Sequence, residues 1–120
     1  MERFAFDDVE LAPHEELLRA VTVVPLTSPL SAGSPVQAAI FRVGPGGGLA
    51  RHPASVPQIL AVLEGGGEVS GPDGTFAAIT AGEAVFWREG EEHETRTESG
   101  LTALIIEGTG IEPHPRAFDD

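Results

Sequence analysis

Imidazole is the one unperturbed side chain that changes charge near neutral pH and also binds divalent metals well. This 120-residue sequence has four histidines. His52 and His93 stand beside turn-forming glycines and prolines, and Gln58 follows the first of them closely. Two imidazoles and an amide oxygen could share one ion or one polar ligand. They could equally be unrelated polar residues near turns. His14 and His114 fall in peripheral segments and are assigned to solvent. Arg42 and Arg51 either balance an acidic surface or form a bidentate clamp for a carboxylate. Glu89, Glu91, Glu92 and Glu94 read as a solvated turn.

Other chemistries are excluded by composition. The chain has no cysteine, so disulfide scaffolds, thiol catalysis and thiolate metal sites are ruled out. All seven basic residues are arginines, which removes Schiff-base lysines and Walker-type phosphate loops. No Gly-x-Ser-x-Gly or His-Glu-x-x-His is present, and no acid pair has a context that assigns acid and base roles. Nineteen acids bring the formal charge to −12, a balance that repels phosphate backbones and anionic lipid. The N-terminus lacks a basic-then-apolar leader pattern, and the longest apolar run, 59–63, is too short to span a bilayer. A cytoplasmic protein without nucleic-acid or membrane partners is expected.

The elements that must position these residues are short. Fifteen glycines and ten prolines favour many brief strands over long helices. One short helix is expected over 13–20, with Pro13 at its first position. Strands are expected at 21–26, 36–43, 58–63, 67–70, 75–79, 84–88, 93–97 and 101–107. Pro72-Asp73-Gly74 marks a hairpin, and the glycines of 44–48 mark another turn. Eight strands at this spacing predict a sandwich or barrel. Ile59-Leu60-Ala61-Val62-Leu63 and Leu104-Ile105-Ile106 do not alternate in polarity, which predicts burial on both faces, either between sheets or at a subunit contact, and points to a homodimer. If His93 faces inward, Thr95 and Thr97 share its face, while Glu92 and Glu94 point away. Pro53 and Pro57 are expected to interrupt the ladder near His52. Trp87, Phe41, Phe76 and Phe86 are assigned to core, Trp87 alternatively to a dimer seam.

Two segments then acquire a joint meaning. The first carries Gly46, His52, Ala54, Gln58 and Gly65, and the second carries Gly82, Arg88, Gly90, His93 and Thr97. Their spacing resembles the two motifs of the cupin superfamily, in which two histidines and a glutamate of the first motif join a histidine of the second around one metal. Ala54 stands at the second histidine of that pattern and Gln58 at the glutamate. Arg88 and Thr97 replace a proline and an asparagine.

The resemblance implies a single all-β domain: a double-stranded β-helix (jelly-roll) barrel over 21–109, an N-terminal arm over 1–20 and an extended tail over 110–120. It implies a ligand pocket of His52, Gln58 and His93, with Arg42 and Thr95 beside them. The metal set would be His52, Gln58 and His93, holding one divalent zinc, iron, nickel or manganese ion either weakly or not at all. The function expected is a small-molecule-binding cupin with a reduced metal site. The alternative is a metal-dependent cupin enzyme of the dioxygenase, isomerase or lyase type, with acidic compounds among its candidate substrates.

Overall fold

A computed structural model describes residues 1–6, 17–30 and 33–115. Seven strands are present among them: β1 (Leu18–Pro25), β2 (Val36–Pro53), β3 (Gln58–Ser70), β4 (Phe76–Thr80), β5 (Ala84–Trp87), β6 (Glu92–Arg96) and β7 (Leu101–Gly108). Every pairing is antiparallel. No helix among the described residues is long and apolar enough to cross a membrane.

Two long strands organise the molecule. The first half of β2 pairs with β7, and its second half pairs with β6. Likewise β3 pairs with β7 and β5 through its first half, then with β4 and β6 through its second. Each therefore turns a corner from one sheet into the other, and the two sheets close on a shared interior as a jelly roll.

The corners are made by glycine, which corrects the sequence-based strand count. Residues 44–48 do not end β2, and 65–67 do not separate two strands; both carry a continuous strand around a bend. At Gly47 an added Cβ would run into the carbonyl of Arg19, and at Gly67 into that of Arg96. Only a residue without a side chain lets the backbones come that close. Expected strands 58–63 and 67–70 are thus one element.

The expected helix is corrected as well. Residues 18–20 begin β1, pairing Leu18 with Leu49 and Arg19 with Gly48, and tertiary pairing overrides a weak local preference. Residues 13–16 lie outside the described residues. The 72–74 hairpin is present: Gly74 N–H donates to the Gly71 carbonyl, and Asp73 Oδ1 accepts from Thr75 N–H. Arg51 ties the turn down by donating to the carbonyls of Gly71 and Pro72.

The interior is filled by alternate residues of each strand. Leu60, Val62, Val69, Trp87, Leu101 and Ile105 form one buried cluster, with Leu60 fully shielded from solvent. A shielded leucine of this kind contributes about 1.5–3 kcal/mol. The other face of the same strands is less covered: Ile59, Ala61, Leu104 and Ile106 are half-buried, and Leu63 is exposed. Register aligns that outer face into two apolar rows. Ile40, Leu104, Ala61 and Ala84 form one, ending at the fully buried Val24, and Ala38, Ile106, Ile59 and Phe86 form the other.

Candidate functional site

His52 sits at the end of β2 and His93 near the start of β6, directly opposite one another in the antiparallel register. Their ring centroids are 4.4 Å apart. The ladder shifts register between Leu49 and His52 and ends with Pro53 opposite Glu92, and β3 begins only after Pro57, so the ladder is interrupted near His52 as expected. On β6 the burial alternates. His93, Thr95 and Thr97 are buried, Glu92 and Arg96 are exposed, and Glu94 is intermediate.

The turn before His93 is clamped onto the residue that follows β2. Ala54 N–H donates to the Glu91 carbonyl, and Gly90 N–H donates to the Ala54 carbonyl. Glu91 Oε1 accepts from the backbone N–H of Arg88 at 2.6 Å. The Glu91 carbonyl also lies 3.1 Å from His93 Nδ1, and the Ala50 carbonyl lies 2.7 Å from His52 Nδ1. A carbonyl only accepts, so the proton of each neutral ring is assigned to Nδ1. The lone pair is then left on Nε2 in both.

His93 is 4% exposed and lies against Trp87, with ring centroids 4.5 Å apart. Burial lowers its pKa below the ordinary imidazole value; the Glu91 carbonyl opposes this, and His52 adds a small push in the same direction as burial.

Gln58 opens β3 opposite Glu107 of β7, and its amide donates to Glu107 Oε2 at 3.1 Å. Both line a pocket of about 350 Å³ with His52, Ser55 and Gln37, walled by Leu18, Phe41, Leu49 and Ile105. Glu107 was not singled out from sequence. The signal was its parity: Leu101, Ala103 and Ile105 point inward, and Glu107 continues that face.

The remaining expected site residues lie elsewhere. Arg42 lines a separate depression with Thr22, Glu64 and Thr102, away from His52. Thr95 is 1% exposed inside the barrel, and its hydroxyl finds no hydrogen-bond partner among the described residues. Arg51 is engaged by the 71–74 turn, by Ser70 at 3.3 Å and by Glu92 at 4.0 Å.

A model of the cupin domain family matches residues 39–109, more than half of the sequence. The chain belongs to the cupin family. No curated protein matches this cupin by sequence. Among solved structures it resembles the polyketide cyclase RemF from Streptomyces resistomycificus, with a TM-score of 0.75 and 20% identity over 99% of this chain and 91% of that one. It also resembles a cupin-2 domain protein from Rhodospirillum rubrum, with a TM-score of 0.73 and 20% identity, covering 94% of this chain and 76% of that one. A third is described as a predicted oxalate decarboxylase from Thermotoga maritima, with a TM-score of 0.66 and 22% identity, over 74% and 80% of the two chains.

Cupins often bind a metal, and an ion places demands on the donor set. A tight site offers at least three strong protein ligands. Here no group of three or more histidines and carboxylates is placed to hold an ion among the described residues. Ala54 brings no donor atom, and the Gln58 amide is hydrogen-bonded to Glu107. The residues present do not fit the family's full metal site.

Proposed function

We propose that this cupin binds a small organic molecule in the pocket framed by β2, β3 and β7. The observation that carries the reading is the convergence of His52, Gln58 and Glu107 in one otherwise largely apolar depression. Concave, mostly apolar sites with a few placed polar groups are the usual form of small-molecule pockets. The metal-dependent enzyme reading needs a third strong ligand beside the two imidazoles, and none of the described residues supplies it.

A fragment set screened by amide chemical-shift mapping tests this. Hits should shift Leu49, His52, Gln58 and Glu107 together. Ser55→Trp, which enlarges an exposed residue at the pocket edge, should abolish them. Shifts confined to the Arg42 depression would refute the assignment.

The two apolar outer rows support a homodimer formed through that face, since a contact on a two-fold axis needs one self-complementary patch. Sedimentation at micromolar concentration should give twice the 12.5 kDa chain mass. A purely monomeric species would refute this.

A further inference from the structure

We infer that the pocket selects a ligand that donates hydrogen bonds: a compact apolar frame bearing hydroxyl or ammonium groups, with carboxylates rejected. This inference rests on the pocket assignment above and specifies what the pocket takes.

Charge and hydrogen-bond polarity of the lining set this preference. Glu107 is acceptor-only when ionised, and its Oε2 receives one bond from Gln58, which leaves Oε1. Gln58 commits one amide N–H to that bond and keeps its second N–H as a donor and its carbonyl oxygen as an acceptor. His52 has its Nδ1 proton directed at the Ala50 carbonyl, so its neutral ring offers the Nε2 lone pair. Three acceptors therefore belong to residues of one pocket wall set. Against them stand the second Gln58 N–H, Ser55, a hydroxyl of either polarity, and Gln37, whose oxygen is taken by Leu30 N–H and whose amide N–H groups remain. None of these donors is charged, whereas Glu107 is when ionised.

No guanidinium among the described residues lining the pocket offsets this. Arg51, the nearest in sequence to His52, donates to the carbonyls of Gly71 and Pro72 and to Ser70. Arg42 lines the other depression. A carboxylate ligand would meet the Glu107 charge with no compensating arginine among the described lining residues, inside a chain of formal charge −12. An ammonium would gain a charge-assisted bond at the same oxygen, and a hydroxyl a neutral-to-ionic one. Phe41, Leu49 and Ile105 then accept the apolar frame. The acidic substrates considered from sequence are disfavoured by this lining.

Catechol, benzylamine and benzoate make the test, since they share one ring and differ in the polarity of their head group. Dissociation constants come from amide-shift titrations of the full chain. Catechol and benzylamine are expected to bind at His52 and Glu107 at least about tenfold more tightly than benzoate. Glu107→Gln keeps the shape and the pairing with Gln58. It should weaken benzylamine about tenfold and shrink the discrimination against benzoate to within a few-fold. Benzoate binding to the wild-type pocket as tightly as the other two would overturn the inference while leaving the pocket assignment intact. Equal benzylamine affinity in wild type and Glu107→Gln would do the same. Failure of all three probes to shift any pocket residue would overturn both.

Discussion

Trp87→Ala should destabilise the protein by about 3–5 kcal/mol, the range for removing a large buried aromatic from a core that relaxes only in part. Trp87 is 3% exposed and joins the cluster formed by Leu60, Val62 and Ile105. Urea unfolding followed by circular dichroism measures the loss, because the variant has no tryptophan to report by fluorescence. A loss under about 1 kcal/mol would show that the barrel closes over the gap.

The same variant carries a second readout. Burial is the main cause of the lowered His93 pKa, and Trp87 is part of what buries it. Opening that wall should move the His93 titration up towards the ordinary 6.5. The sign for stability follows. Because the folded pKa is depressed, the unfolded chain takes up a proton that the folded one resists. This contribution is present above about 6.5 and is lost as pH falls from there towards the folded value. Trp87→Ala should lose less on acidification than the wild type.

The second large effect concerns metal. Ala54→His with Gln58→Glu restores the two donors that separate this chain from the metal-binding pattern. Divalent zinc or cobalt should then bind at least about a hundredfold more tightly than to the wild type, by calorimetry or by the cobalt absorption spectrum. A glutamate at 58 would also stand opposite Glu107, and the two carboxylates repel until a dication neutralises them. Part of the gain is therefore relief of that repulsion. Ala54 is 4% exposed, so the new ring must displace neighbours. Ala54→His alone, which adds one ligand without the charge, should give an intermediate affinity. Unchanged metal affinity in a folded double variant would show that the 54 side chain cannot reach the imidazoles.

How much of this was readable beforehand divides along a physical line. Local periodicity marked the strands: alternation on β6 puts His93, Thr95 and Thr97 on the buried side, and Pro72-Asp73-Gly74 marks its hairpin. Both depend on neighbours in the chain. The glycine corners of β2 and β3 were not readable, because 44–48 and 65–67 look like turns until the partner strand that presses on them is known. Residues 18–20 look helical until they pair with β2. Glu107 was missed for a related reason. Its importance comes from lying opposite Gln58, a relation set by β3–β7 register across 49 positions of sequence. Arg42 is separated from His52 by parity on β2: Gln37 and Phe41 line the pocket, and the exposed Arg42 alternates to the other face.

One feature of the architecture bears on how a guest is received. The strands that supply Gln37, His52 and Gln58 are the same two that knit both sheets together. Neither can swing outward without tearing ladders on either side, so these two walls have no hinge among the described residues. A ligand of the proposed pocket would find these walls already shaped, and the ordering cost would fall on the visitor more than on the host.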